Sequence, residues 1–231
     1  MMTVAVFHGS PRKGNTYLAA KIFMDALSSR GDVAYTEFFF PKSLPVFCTG
    51  CQLCQSGPRE KCPHAEYVTP MLTAILRADA LIFTTPHYAC DMSGSMKNLL
   101  DHLDFLTLTV APRREIFGKK AFILTTGAGS AAAVKPMKRF LKNWGVNRVQ
   151  SLGLRLFTDK WDGMRGGRRE RCAQKLRAAA RKFYQTKRGR PYLSALMMYH
   201  MSKFVLKRYV GKGNYPYEYW AENGYFKGRP F

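Results

Sequence analysis

The residues with the clearest chemical meaning form a loop near the start of the chain, Gly9-Ser10-Pro11-Arg12-Lys13-Gly14-Asn15-Thr16. Its glycines let backbone N–H groups point inward, and its short polar side chains and arginine add donors and positive charge. The loop follows an apolar run, and a predicted helix begins at Thr16, so the unpaired N–H groups of that helix face the same space. The pattern predicts a phosphate site formed by Ser10, Arg12, Asn15 and Thr16. The alternative is a glycine turn without a ligand.

The type of phosphate follows from what the loop lacks. Asn15 stands where the loop of nucleotide hydrolases has a lysine, and Thr84 and Thr85 end a later apolar run where those enzymes have an aspartate for magnesium. The glycine spacing also differs from that of a dinucleotide-binding loop. We therefore expect a monophosphate ester.

Four of the six cysteines form a second candidate site, Cys48-x-x-Cys51-x-x-Cys54-x7-Cys62. Three thiols in one short loop with a fourth within reach are compatible with four-cornered coordination. Three interpretations stay open: an iron-sulfur cluster, a zinc ion with help from His64, and a reduced loop without metal.

Charge is distributed unevenly along the 231 residues, whose net charge is +22. Residues 135–231 contain 24 Lys and Arg against 5 Asp and Glu, whereas residues 1–134 contain 13 against 10. The second part should attract anionic partners such as lipid headgroups, nucleic acid or an acidic redox protein, unless it is only a solvated basic face. We expect a cytoplasmic protein with reduced cysteines, because no signal peptide or membrane-spanning run is apparent.

Apolar runs alternate with helical patterns, which predicts an α/β fold with a parallel sheet between two layers of helices, a three-layer sandwich. Strands are predicted near 3–8, 33–39, 80–85, 120–126 and 148–156, and helices at 16–29, 66–77, 94–106, 133–144 and 168–186. We expect one domain over residues 1–188 and a basic, aromatic extension over residues 189–231.

Ligands of such sheets bind at the carboxyl ends of the strands, near the switch in strand order. The phosphate loop follows the first strand, and two further small-residue loops, 85–94 and 125–130, follow the third and fourth. Tyr88 and the backbone around it could contact a flat ring, and the flexible backbone of the last loop could reach its polar edge. A phosphate at one end and a ring at the other indicate a mononucleotide cofactor.

These ordered motifs resemble those of the NAD(P)H-dependent FMN reductase group of flavodoxin-like proteins, which includes the iron-sulfur flavoproteins. The resemblance covers roughly residues 3–186 and implies strand order 2-1-3-4-5. The residues that carry it are Gly9 to Arg12, Gly14 to Thr16, the cysteine cluster, Thr85, Pro86, Tyr88, Met92 to Gly94, Lys97 and Leu100 to His102. Cys90 departs from a position that is often glycine, and Ala89 from one that is often aromatic.

The resemblance also assigns roles to residues. It implies that the FMN phosphate is held by Ser10, Arg12, Asn15 and Thr16. The isoalloxazine would be lined by Pro86, His87, Tyr88 and Ala89, with Thr126, Gly127, Ala128 and Gly129 along its far edge. The cysteine spacing looks like the iron-sulfur flavoprotein signature, which would make Cys48, Cys51, Cys54 and Cys62 ligands of a cluster.

The implied activity is electron transfer from NAD(P)H through FMN to a quinone, a nitro or azo compound or a protein carrier. No catalytic acid or base is expected, because hydride passes directly to the ring and the protein positions it. The alternatives are an electron carrier, and a non-enzymatic module that binds membrane or nucleic acid through its basic half. The phosphate loop argues against the last of these.

The extension combines an apolar stripe over residues 191–209 with an aromatic end over residues 215–226. So many rings should dock on protein. We expect the extension to cover a homodimer interface near the flavin, with contact to an anionic membrane as the alternative.

Overall fold

The sheet of the protein is parallel apart from one short strand. A computed structural model describes residues 1–158, 160–164, 166–187 and 192–228. Within these residues the strands are β1 Met2–His8, β2 Val33–Phe39, β3 Ala80–Tyr88, β4 Asp91–Met92, β5 Lys120–Thr126 and β6 Arg148–Leu154. The parallel strands lie in the order β2-β1-β3-β5-β6, and β4 pairs antiparallel with β3. Without β4 this is the predicted order 2-1-3-4-5, so the predicted fold is confirmed.

The central strands are buried on both faces, which explains their continuous apolar sequences. All seven residues of β5 are buried, and so are the last five of β1. The edge strand β2 instead has several exposed residues. Register aligns the ends of the strands that matter most: His8 lies beside Thr84, and Pro86 lies beside Thr126. The loops that follow β1, β3 and β5 therefore meet at one edge.

Helices cover both faces of this sheet. Their bounds are α1 Asn15–Ser28, α2 Leu53–Ser56, α3 Ala65–Arg77, α4 Gly94–His102, α5 Val134–Asn143, α6 Gly166–Gln185, α7 Leu193–Val205 and α8 Tyr215–Glu222. One core layer contains buried side chains of α1 and α6, and the other contains those of α3, α4, α5, α7 and α8. None of the described helices is both long enough and apolar enough to cross a membrane.

Two local features differ from the sequence prediction. The helix expected over 94–106 ends at His102, and a separate 3-10 turn follows at Asp104–Leu106. The strand expected to end at 85 continues to Tyr88 and turns back through Ala89 and Cys90, which both have positive φ, 46° and 64°. A two-residue turn with that backbone matches the right-handed twist of a hairpin.

The extension packs on its own chain. The Tyr219 and Tyr225 hydroxyls both donate to the Pro112 carbonyl, at 3.1 and 2.9 Å. The Tyr199 ring stacks on Trp220 with ring centroids 4.9 Å apart. The aromatic end thus completes one core layer of the same molecule. The predicted domain boundary at 188/189 lies outside the described residues.

Candidate functional site

A cleft of about 340 Å³ opens at the carboxyl ends of the parallel strands. That volume lies within the range of small-molecule sites. Residues from four separate segments converge there, as expected where loops follow neighbouring parallel strands. The lining residues are Ser10, Arg12, Gly14, Asn15, Thr16, Pro86, His87, Tyr88, Thr126, Gly127, Leu156 and Thr158.

The start of α1 presents unpaired N–H groups to one end of the cleft. Gly14 precedes the helix with an extended backbone, and its carbonyl accepts the first helical bond, from Leu18 N at 3.0 Å. The N–H groups of the first helical turn have no acceptor within the helix. The first turn contains no acidic side chain that would compete for them. Together with the helix dipole, these groups favour an anion at this position.

Asn15 is oriented by a contact to the far side of the cleft. Its Nδ2 donates to the Thr158 carbonyl at 2.7 Å. A carbonyl only accepts, so this bond determines which side-chain atom of Asn15 is nitrogen. Its Oδ1 is buried and has no hydrogen-bond partner among the described residues. Asn15 therefore retains one N–H to donate and one oxygen that requires a donor.

Thr16 and Thr126 link the start of α1 to the end of β5. Their hydroxyl oxygens lie 2.6 Å apart, and both residues are buried. Two hydroxyls carry two hydrogens, and one of them forms the bond between the pair. The second hydrogen remains available to a ligand. Ser10 is similar, because its hydroxyl accepts from Arg12 N at 3.3 Å and keeps its own hydrogen.

Arg12 and Tyr88 join the two ends of the cleft. The Arg12 guanidinium donates to the Tyr88 hydroxyl, although the two residues are 76 positions apart in the chain. Tyr88 is 44% exposed, so its ring is accessible from the open side of the cleft. The positive charge and the aromatic surface thus lie next to each other.

Glycines allow the β5 loop to pack directly on His87. Gly127 has a φ of 132°, which side chains other than glycine rarely adopt. A Cβ at Gly129 would overlap the imidazole ring of His87. The loop backbone therefore reaches the side chain that precedes Tyr88, and its position depends on these two glycines.

Ser93 holds the phosphate loop against α4. It caps that helix by accepting from Met96 N at 3.3 Å, and its hydroxyl donates to the Gly9 carbonyl at 2.6 Å. A Cβ at Gly9 would lie 2.8 Å from the Ser93 oxygen. Glycine at position 9 is required for this close approach, which sets where the phosphate loop begins.

His8 lies beneath the loop and is paired on both ring nitrogens. Nε2 lies 2.8 Å from a Glu37 carboxylate oxygen, and Nδ1 lies 3.0 Å from the Thr84 hydroxyl. Burial lowers the pKa of His8 below its ordinary value of 6.5, while the bond to Glu37 acts in the opposite direction. A neutral ring satisfies both contacts, with Nε2–H donating and Nδ1 accepting.

The cysteines lie in a loop and short helix before α3. Cys48 and Cys51 are exposed, and Cys54 and Cys62 are partly buried. Burial raises the pKa of the Cys54 thiol to about 11, and Cys62, Cys48 and Cys51 add to the rise. The other three thiols are thus close enough to Cys54 to disfavour its thiolate. In the part of the chain that the structure describes, however, no three Cys, His, Asp or Glu side chains converge so that they could hold a metal ion.

Helix α4 supports the cysteine loop. Asn98 accepts from Cys48 N at 3.0 Å and donates to the Val46 carbonyl at 2.8 Å. His102 Nδ1 lies 2.9 Å from the Asn98 carbonyl, and its Nε2 lies 2.9 Å from His64 Nδ1. Burial lowers the pKa of His102. Because a carbonyl only accepts, His102 Nδ1–H donates to Asn98, and Nε2 can accept from His64. These residues position the loop through buried and partly buried hydrogen bonds.

Most of the predicted FMN-binding residues meet in the cleft. Nine of the twelve line it, and the exceptions are Ala89, Ala128 and Gly129. Ala89 is at the tip of the β3–β4 turn, and Gly129 packs against His87. Sequence reasoning missed Leu156 and Thr158. They follow β6, so the rule that points to the carboxyl ends of strands could have found them.

The fold defines a flavodoxin-like protein, and the cleft lies at the strand ends where such sheets bind their ligands. The family model of NADPH-dependent FMN reductases matches residues 2–156. The chain therefore belongs to the NADPH-dependent FMN reductase family. It is an oxidoreductase that uses FMN, with a nicotinamide nucleotide as electron donor.

The known proteins that are similar to this chain include two relatives by sequence and one solved structure. An iron-sulfur flavoprotein of Methanocaldococcus jannaschii is 29% identical over 60% of this chain and 71% of its own length. An NADPH azoreductase of a Bacillus species is 32% identical over 44% of this chain, and the match spans half of that enzyme. The solved structure of an NADH:FMN oxidoreductase, EMOB, has a TM-score of 0.57 and 22% identity, covering 84% of this chain and 97% of its own. The last shows a shared fold.

Proposed function

We propose that this protein binds FMN in the cleft, reduces it with NAD(P)H and passes the electrons to a quinone, a nitro or azo compound or a protein carrier. One observation carries the proposal. The uncapped start of α1, the paired hydroxyls of Thr16 and Thr126, and the exposed ring of Tyr88 share a single cleft. A phosphate site and a ring site joined in this way suit a flavin mononucleotide.

The donors and acceptors fit the parts of that cofactor. The first turn of α1, the hydroxyls of Ser10 and Thr16, and the Arg12 guanidinium would hold the phosphate. The unpartnered Asn15 Oδ1 requires a donor, and a hydroxyl of the ribityl chain would supply it. The ring would lie against Pro86, His87 and Tyr88, with Thr126 and Gly127 at its edge.

FMN held by these residues would supply the redox chemistry, which is acceptance of a hydride from a nicotinamide and release of electrons singly or in pairs. The chain contributes binding and orientation. Arg12 contacts Tyr88, so one side chain couples the position of the phosphate end to that of the ring wall. No side-chain acid or base is assigned to the reaction. Because donor and acceptor would use the same ring, we expect ping-pong kinetics.

A steady-state assay of the purified protein tests the proposal. We expect flavin absorption, release of FMN on denaturation, and oxidation of NADH or NADPH that depends on an added quinone, nitro compound or azo dye. Parallel initial-rate lines at several acceptor concentrations would support the shared ring. A protein that binds no FMN at micromolar concentration, or binds it without oxidising either nucleotide, would contradict the enzymatic assignment.

An electron carrier is the second candidate, because one similar protein is an iron-sulfur flavoprotein. The cysteine side chains do not form a ready metal site in the described residues, so no electron step is assigned to them. Cys48, Cys51, Cys54 and Cys62 stay the predicted ligands of a cluster. Iron analysis of anaerobically purified protein tests that prediction.

The homodimer and the cytoplasmic location also stay predictions. Tyr88 is partly exposed at the open side of the cleft, where a second copy could close over the flavin. Sedimentation equilibrium measures the oligomeric state, and fractionation of the source cells measures the location.

A further inference from the structure

Helix α7 presents an apolar stripe to the outside of the molecule. We call this the α7 stripe; its members are Leu193, Met197, Met201 and Phe204, with Tyr209 in the following turn. Their exposed fractions lie between 60% and 73%. The spacing of four, four and three residues places the helical members on one face. Phe204 and Tyr209 contact each other edge to face, with ring centroids 6.1 Å apart.

The opposite face of α7 is held in the core. Ala195, Tyr199, Ser202 and Leu206 are all buried, and they repeat with the same helical spacing. Tyr199 also donates to the Tyr225 carbonyl. These contacts determine the rotation of the helix about its axis. The α7 stripe therefore faces outward because the structure requires it, and it cannot turn inward without breaking that core.

Basic residues border the α7 stripe on both sides. Lys203 and Lys207 lie on the flank between the stripe and the buried face, as their positions on the helix require. On the other flank, Ser194 and Met198 line a groove of about 510 Å³ against α5. The basic residues of α5 that line this groove are Lys135, Lys138, Arg139 and Lys142.

Acidic residues are missing from the segments that form this surface. The sequence has no Asp or Glu between Glu115 and Asp159, which includes α5, or between Glu170 and Glu218, which includes α7. The face therefore has a strongly positive potential around an apolar centre. This combination is typical of helices that lie in the interface of an anionic bilayer, with apolar side chains inserted and cations at the headgroups.

We propose that the α7 stripe docks the protein on the surface of an anionic lipid bilayer. A second copy of the chain is the competing occupant. A two-fold contact through α7 would bring the basic side chains of α5 and α7 from both copies together. Their repulsion disfavours this contact in a protein whose net charge is +22. Anionic lipid complements the same surface. The proposal is independent of the electron acceptor and of the contents of the cleft.

Co-sedimentation of the whole 231-residue chain with vesicles tests the proposal. We expect binding to phosphatidylcholine vesicles that contain about 30% phosphatidylserine, and little binding to pure phosphatidylcholine. Raising the salt from about 0.05 M to about 0.5 M should weaken it. The triple variant Met197→Gln, Met201→Gln, Phe204→Gln should bind at least tenfold more weakly. Its fold should persist because the three side chains are exposed, and thermal unfolding checks this.

Matched variants distinguish binding through the α7 stripe from binding through any exposed apolar side chain or through net charge alone. Phe157→Gln removes another exposed large apolar side chain, 72% exposed and outside the stripe, and should leave binding unchanged. Lys203→Glu with Lys207→Glu should weaken binding at least tenfold, whereas Arg30→Glu with Lys42→Glu changes the net charge equally and should weaken it less than about threefold.

Three results of the vesicle assay would overturn the proposal: a parent protein that does not bind anionic vesicles, a triple variant that binds them like the parent, or two charge variants that lose binding equally. Sedimentation velocity addresses the competing occupant. If the parent is a dimer and the triple variant a monomer, the α7 stripe is a subunit contact and the lipid assignment is wrong. A triple variant with unchanged oligomeric state and lost vesicle binding supports it.

Discussion

Replacing Thr16 with valine tests the phosphate end of the cleft directly. The change keeps the shape of the side chain and removes the hydroxyl that lies 2.6 Å from the Thr126 hydroxyl. The pair has one hydrogen to offer a ligand, and a hydrogen bond to a charged group contributes about 1.5 to 3 kcal/mol. At about 1.4 kcal/mol per factor of ten, Thr16→Val should weaken FMN binding by roughly 10-fold to 150-fold.

Fluorescence titration of FMN with the apoprotein measures this affinity. Thr126→Val is the informative partner, because it breaks the same pair but leaves the Thr16 hydroxyl free to donate to the phosphate. We expect it to weaken FMN binding by less than about tenfold. Thr36→Val changes an exposed threonine on β2 and should have no effect.

The two valine variants should also share one effect. Each leaves a buried hydroxyl without its partner, so each should lower the free energy of unfolding by about 1 kcal/mol or more in urea titrations. The reasoning would be refuted if Thr16→Val bound FMN within about threefold of the parent while Thr126→Val lost affinity. The donor to the phosphate would then be Thr126.

Three further substitutions and one analysis test other parts of the structure. Gly129→Ala should displace the His87 ring and lower the unfolding free energy by about 1 to 3 kcal/mol, measured in urea. The Lys120 ammonium donates to three carbonyls at the end of α6 and just after it, at 2.8, 3.1 and 3.1 Å. Lys120→Met removes these bonds and should lower the unfolding free energy by about 1.5 kcal/mol or more in the same urea titrations. The pKa of His8 is lower in the folded protein than the 6.5 of the unfolded chain. As the pH falls through 6.5, His8 therefore takes up a proton in the unfolded chain before it does so in the folded one. The stability that is present above that pH is lost below it. The slope of unfolding free energy between about pH 7 and pH 5 should therefore be shallower in His8→Gln. Anaerobically purified protein should contain iron if the four clustered cysteines bind a cluster, and changing any one of them to serine should remove it.

Each of these expectations has a control or a contradicting result. Gly167→Ala adds a Cβ in open space and should be tolerated, in contrast to Gly129→Ala. If the Lys120→Met protein were as stable as the parent, the three carbonyls would be accepting hydrogen bonds from water instead. An unchanged pH slope in His8→Gln would assign that slope to other groups. Stoichiometric zinc, or less than about a tenth of an iron per chain, would remove the iron-sulfur interpretation.

The sequence by itself predicted the main strands and helices, and it identified the loop that we propose binds phosphate. Continuous apolar runs such as 80–83 identify buried parallel strands, because a strand covered on both faces has no polar side. The glycines and short donors of residues 9–16 identify their own chemistry, since a phosphate loop is formed by consecutive residues. The strand order followed from the family resemblance, and the sheet confirms it.

Only the tertiary structure decided which distant residues meet. Arg12 bonds Tyr88, Asn15 bonds the Thr158 carbonyl, and Thr16 pairs with Thr126, all contacts that depend on strand register and have no signal in local spacing. Tertiary contacts also decide which face of α7 points to the outside. Sequence periodicity shows an amphipathic helix, but both of its faces contain apolar side chains. The packing of Tyr199 on Trp220 selects which face is buried and leaves the α7 stripe outside.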